Sequence, residues 1–225
     1  MTLHSRVSRR SATLTRGAEL LAEVRDVLVD VPVFLTAPVY RRWHLTWNAT
    51  ETEVSAAMPG DELLARPHYL STRAITIDAP PDQVWPWLVQ VGFGRAGFYS
   101  DDLLDNLGRP SSRTLVPALQ HLEVGQMVPM SPTPTDATTF RVAAYVANHE
   151  LLWSKPDSTW SWRLTEEAPG RTRVVTRIRA VHGWGRPVSG LLSLLLLELG
   201  DFAMLRRMLR GLKSRAEAGS TTSRR

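Results

Sequence analysis

RAITIDAPPDQVWPWLVQVGFGRAGFYSDDLLDNL, residues 73–107, changes its hydrophobic period partway along, and the order of the change decides the fold. From Arg73 to Asp78, Ile75 and Ile77 alternate with Ala74, Thr76 and Asp78, the period of a half-buried strand. Pro80 and Pro81 stop that strand. Both suit the first turn of a helix, where a missing N–H costs nothing, and Asp82 adds negative charge at the helix's positive end. Val84, Trp87, Leu88 and Val91 follow at i, i+3, i+4 and i+7, the apolar stripe of a short helix. A second short helix is predicted to start at the Asp101, Asp102, Asp105 cluster, whose carboxylates are expected to face its positive end and stay solvated.

Downstream, a period of two takes over. Gln126 to Met130 is short and apolar; Phe140, Val142, Ala144 and Val146 alternate with Arg141, Ala143 and Tyr145; Leu151 and Trp153 follow a turn near Asn148 and His149. After the Pro-Asp turn in KPDS, residues 155–158, Trp160, Trp162 and Leu164 share one face, with Ser161 and Arg163 on the other. Val174, Thr176, Ile178 and Ala180 then oppose Arg173, Arg177 and Arg179. An antiparallel meander is the simplest arrangement, with one face expected to be wet and arginine-rich and the other covered by the last helix. That helix is predicted from about Val188 to about Arg215, roughly 40 Å long. Leu192, Leu195, Leu199, Phe202, Leu209 and Leu212 form its stripe, and Leu191, Leu194 and Leu197 widen the first half until it needs a second cover. The N-terminal arm, another protomer in a homodimer, and lipid are the candidates for that cover.

This order of elements resembles the helix-grip fold of the START/Bet v 1-like superfamily, SRPBCC, over roughly residues 70–217. IDAPPDQVWPWLVQVGFGRAGFYSDDLLDNLG, residues 77–108, resembles a mostly actinobacterial SRPBCC group of polyketide cyclase/dehydrase-like proteins, and RRWHLTWNATETEVSAAMPGDELL, residues 41–64, resembles their lead-in. The resemblance implies an α+β fold: a curved antiparallel sheet wrapped around a long C-terminal helix, with two short helices after the first strand. With the residue patterns at either end, the chain is read as an N-terminal amphipathic helix and extended arm (1–69), a helix-grip domain (70–217) and a disordered basic tail (218–225). It does not fix a chemistry, because one superfamily fold hosts carriers, receptors and enzymes without a common catalytic set.

Composition narrows the function classes. The chain has 225 residues, 43% of them hydrophobic, enough for one full core with a cavity. There is no cysteine, which excludes disulfides, thiolate zinc sites and Cys nucleophiles and fits a cytoplasmic protein. Of the basic residues, 25 are Arg and only Lys155 and Lys213 are Lys. Residues 1–16 carry +4 and residues 206–225 carry +6, which against a chain total of +5 leaves −5 for residues 17–205. A body of that sign is a poor match for a phosphate backbone, so no nucleic-acid partner is expected, and the basic tails are read as solvated ends rather than as contacts to RNA or anionic lipid. Leu20, Leu21, Val24, Val27, Leu28 and Val31 lie on one face of an amphipathic helix that Pro32 and Pro38 end or bend. That arm is expected to pack on the domain beside the first half of the last helix; peripheral contact with a membrane surface is the alternative.

GFGRAG, residues 92–97, fits the Gly-x-Gly-x-x-Gly spacing, but a dinucleotide fingerprint follows a strand inside a βαβ unit, and the residues before this one have helical period. Gly92, Gly94 and Gly97 are read instead as a tight link that leaves Arg95, Phe98 and Tyr99 near the cavity rim. His4, His44, His68, His121, His149 and His182 show no metal-ligand spacing, and no cofactor is predicted. In a helix-grip fold the inward strand residues line the cavity, so Trp153, Trp160 and Trp162 are the candidate walls, Phe98, Tyr99 and Arg95 the candidate end, and His182 a candidate cavity imidazole. Aromatic walls suit a small hydrophobic molecule such as a lipid, polyketide or aromatic ring. Binding of such a molecule is the expected function. The alternatives are a cyclase or aromatase-like enzyme, and an interaction or membrane-peripheral protein whose tryptophans simply fill the core.

Overall fold

The Ile75/Ile77 alternation forms strand β1, Tyr69–Ile77, and the Pro80–Pro81 pair opens helix α3, Pro81–Val89, with Pro81 at its first position. The structure is a computed structural model and describes residues 40–181 and 187–222, without the side chains of 187–199 and 220–222. Two short helices, α1 (Arg41–Leu45) and α2 (Glu51–Ser55), precede β1; α4 (Asp102–Asp105) follows α3. Strands β2 (Met127–Pro129), β3 (Thr139–Val146), β4 (Glu150–Lys155), β5 (Ser158–Ala168) and β6 (Arg171–Ala180) come next, then the long helix α5, Pro187–Thr222. The predicted amphipathic arm at 20–31, His182 and the tail end at 223–225 lie outside the described residues.

The six strands form one antiparallel sheet in the order β1-β6-β5-β4-β3-β2, so the first strand closes onto the last and the rest is a meander. With α5 and the short helices this is a helix-grip arrangement. One face carries the main core: Ile75, Ile77, Trp153, Trp162, Leu164 and Val174 meet Val84 and Leu88 of α3 and Leu205, Leu209 and Leu212 of α5. Alternation along β1, β5 and β6 places these residues inward as the sequence predicts, because side chains of one parity share a face.

Two local expectations change. A bulge between Val142 and Ala144 of β3 reverses the parity of the residues after it. Tyr145 therefore shares a face with Leu151, and its hydroxyl donates to the Leu122 carbonyl at 2.9 Å, although Tyr145, like Val146, stays exposed at the strand end. The second change is larger, since the arginine-rich face is not wet. Residues 40–66 lie across it. Arg177 is 3% exposed; it bonds Asp61 Oδ2 at 2.6 Å and donates to the carbonyls of Glu53, Val54 and Ala56. Arg179 reaches Asp61 Oδ1 at 2.9 Å, and Arg173 reaches Glu53 Oε1 at 2.7 Å. Met58 and Ala49 add an apolar seal on Ala74 and Val175.

The basic residues 206–215, counted with the C-terminal charge in the sequence, sit on α5 and engage the body. Arg207 pairs with Asp101 at 3.0 Å, Lys213 donates to the Thr76 carbonyl at 2.8 Å, and Arg215 donates to the Ser112 carbonyl at 2.8 Å. Among the described residues, no helix is long and apolar enough to cross a membrane.

Candidate functional site

Helix α5 crosses the concave face, and Asp201, Met204, Leu205 and Met208 recur along it at i, i+3, i+4 and i+7. This row forms one wall of a cavity of about 380 Å³. The loop after α3 supplies Phe93, Phe98 and Ser100, α4 and its exit supply Leu104, Asp105 and Leu107, and β5 supplies Trp160. Met130 and Ser131, just beyond β2, close another side. A second hollow of about 500 Å³ shares Met130, Ser131, Trp160 and Asp201 with the first and extends to Phe140, Lys155, Ile178 and Ala180. Trp160 and Asp201 therefore stand where the two meet.

The glycine-rich link builds the rim. Gly92 (φ +138°), Gly94 (φ +70°) and Gly97 (φ +79°) take backbone angles that favour glycine, and Gly92 and Gly97 pair in an isolated antiparallel bridge. A Cβ on Gly97 would fall inside contact distance of the Ser111 side chain, so the loop folds tightly onto residue 111. A helix precedes this link, so the dinucleotide arrangement is not formed.

Asp201 is the polar centre of the wall. Its Oδ2 accepts from the Tyr69 hydroxyl at 2.6 Å and from Arg73 Nη1 at 2.5 Å; Arg73 also donates to the Tyr69 oxygen at 3.1 Å and to the His44 carbonyl at 2.8 Å. Burial works against the Arg73 charge, but Asp201 and then Tyr69 outweigh it and hold the guanidinium above its ordinary value. Burial, with Asp201 beside it, pushes the Tyr69 hydroxyl well up, so it remains a donor. Phe202 covers the group from the other side, with the Arg73 guanidinium 5.4 Å from its ring centre.

Asp105 is the second carboxylate on the wall. Burial, with Asp102 and Asp101 close by, pushes it up to about 6 despite the hydrogen bond from Ser100. Its Oδ1 is buried without a hydrogen-bond partner. Asp101 is 4% exposed, and burial raises its carboxyl although Arg207 pulls the other way. The expectation that this acidic turn stays solvated is therefore corrected in part: Asp101, just before α4, is buried and tied to Arg207 of α5, and Asp105 is half-buried, while Leu103 and Leu104 between them stay exposed.

Of the residues singled out in sequence, Trp160 and Phe98 lie on the cavity wall. Trp153 and Trp162 are fully buried behind Trp160, with ring centres 5.3 and 5.2 Å from it. Tyr99 faces the core: its hydroxyl donates to the Trp87 carbonyl at 3.0 Å and accepts from Gln90 at 2.8 Å, and burial pushes it up to about 12. Arg95 donates to the Val89 carbonyl at 2.8 Å, and burial lowers its pKa. The sequence reading singles out neither Asp201 nor Arg73. Both signals were present: an acid inside an apolar helical run, and an arginine on the same parity as Ile75 and Ile77. Among the described residues, no group of His, Asp and Glu is placed to hold a metal ion.

No protein-family model matches the chain, and no curated protein matches it in sequence. Among solved structures the matches are of low identity and low TM-score. Protein SSP2350 from Staphylococcus saprophyticus is 15% identical, with 67% of this chain and 93% of that one covered and a TM-score of 0.39. KanY is 15% identical, with 66% and 97% covered and a TM-score of 0.43. DynU16, from the dynemicin biosynthetic locus, is 21% identical with a TM-score of 0.38; the match covers 65% of this chain but only 48% of DynU16. The chemistry of the site is read from its own residues.

Proposed function

We propose that the protein belongs to the SRPBCC superfamily and binds a small hydrophobic molecule between its sheet and its last helix. The observation that carries the reading is the cavity of about 380 Å³, whose wall is mainly aromatic, leucine and methionine side chains with a few polar groups. A tryptophan-filled core would not need it, because Trp153 and Trp162 already pack the centre of the sheet and the hollow lies outside them. Native mass spectrometry of the protein from its own host tests the reading. A retained apolar compound is expected, and Met204→Trp, which fills the cavity, should abolish retention. A protein that stays empty after exposure to host lipid and polyketide extracts would overturn it.

One observation favours a second reading, an enzyme of the cyclase or aromatase type. Asp201, hydrogen-bonded to Tyr69, and Asp105, pushed up to about 6, both stand on the cavity wall where a proton could be exchanged with a bound molecule. Loss of product formation in Asp105→Asn with ligand retention intact would favour it over a carrier.

A further inference from the structure

The polar groups of the cavity wall are of one kind. Among the described lining residues there are two carboxylates, Asp105 and Asp201, and two hydroxyls, Ser100 and Ser131, but no Lys, Arg or His. Asp201 is already neutralised by Arg73. Asp105 is not: its near charged neighbours are Asp101 and Asp102 on its own turn, and Arg207 of α5 is bound to Asp101. Lys155, in the adjoining hollow, is paired with Asp157. A ligand anion entering this wall would meet carboxylates with no free cation among the described lining residues, a like-charge encounter in a desolvated place. A ligand hydroxyl would meet carboxylate side chains on the lining, and Asp105 Oδ1, buried, has no protein hydrogen-bond partner.

Resting on the binding function proposed above, we infer that the ligand is an apolar ring compound with a hydroxyl donor, held at Asp105 and Asp201, and that carboxylate- and phosphate-bearing lipids are rejected. Selectivity then comes from both sides: the hydroxyl completes an acceptor left unpaired, and the acid is refused by repulsion. The state of Asp105 reinforces this. With its carboxyl pushed up to about 6, it is ionised at neutral pH and becomes a donor on mild acidification, with Asp101 and Asp102 beside it, Asp201 on the same cavity lining and Arg207 of α5 held by Asp101.

Calorimetric titration of the full chain at neutral pH with 2-naphthol, naphthalene and 2-naphthoate tests the inference on one ring skeleton. 2-Naphthol is expected to bind about tenfold more tightly than naphthalene, the usual gain from a hydrogen bond to a charged acceptor, and 2-naphthoate most weakly of the three. Asp105→Leu should bring the naphthol-to-naphthalene ratio close to one. In the unaltered protein, naphthoate binding should strengthen on acidification to about pH 5.5. Equal affinity for naphthol and naphthalene, or naphthoate binding as tightly as naphthol, overturns the inference while leaving a hydrophobic cavity in place. A ratio unchanged in Asp105→Leu overturns the role of Asp105. No binding of any of the three overturns the cavity reading itself, and this inference with it.

Discussion

Arg73 is the residue on which the concave face turns. It is fully buried beneath the last helix, and its charge is tolerable because Asp201, Tyr69 and the His44 carbonyl surround the guanidinium. Removing one partner of such a pair leaves the other charge stranded, and that costs more than the pair itself contributes. We expect Asp201→Ala to lower the unfolding free energy by roughly 3–5 kcal/mol in urea titration, and the double replacement Arg73→Met, Asp201→Leu to recover a good part of it. A loss below about 1 kcal/mol for Asp201→Ala would show that Arg73 finds water or another acceptor. Gly211 poses the same question in steric terms. A Cβ there would lie 2.0 Å from the Tyr99 carbonyl oxygen, and Tyr99 itself sits at φ +60° with its ring beneath the Arg215 guanidinium. Alanine ordinarily gains up to about 1 kcal/mol over glycine inside a helix, but overpacking against a backbone atom costs about 1–3 kcal/mol. Gly211→Ala should therefore be net destabilising in thermal unfolding, and a raised midpoint would refute the close approach.

Among the elements, the lead-in of residues 40–66 acts as a clamp on the outer face of β5 and β6. Helix α2 is fixed by a capping box in which Thr50 and Glu53 each bond the other's backbone N–H, and the same Glu53 carboxylate then takes the Arg173 guanidinium. Burial pushes Glu53 up, but Arg173 and Thr50 outweigh it and hold the carboxyl below its usual range. A carboxyl depressed in the folded state stabilises the fold above its unfolded value, and that contribution is lost as pH falls through the folded value. Urea stability should therefore drop on acidification below the ordinary carboxylate range, and Glu53→Gln should flatten that slope. Asp61→Ala, which removes the carboxylate shared by Arg177 and Arg179, is expected to cost about 1.5–3 kcal/mol, from hydrogen bonds to charged groups. Limited proteolysis within 40–66 should accelerate in the same variant. None of this clamp is legible in the strands alone. Arg173, Arg177 and Arg179 have the alternation of a solvated face, and the acids that bury them lie more than 100 residues earlier in the chain. What is legible is whatever a local period encodes: the inward parity of β1, β5 and β6, the Pro-Pro start of α3, and the long final helix. The bulge at Val142 and Ala144 has no glycine or proline to mark it, so simple alternation puts Tyr145 on the face opposite to the one it takes.

At the scale of the whole molecule, the cavity is legible in kind but not in address. A large aromatic residue on an inward strand position is equally suited to filling space and to lining it, and only the path of α5 decides which. That path leaves Trp160 on the wall and Trp153 and Trp162 behind it. A helix laid over a sheet with a hollow beneath it makes stability and binding one quantity. A ligand that occupies the folded state alone adds about 2.7 kcal/mol at a hundred times its dissociation constant. For a domain of this size, each kcal/mol moves the melting temperature by roughly 2–4 °C. A true ligand at that excess should therefore raise the midpoint by about 5–10 °C. Met204→Trp places an indole in the same space, so the variant should no longer respond to the ligand. A full thermal shift retained in Met204→Trp would mean that the molecule binds elsewhere, away from the face that Asp201, Met204, Leu205 and Met208 present to the cavity.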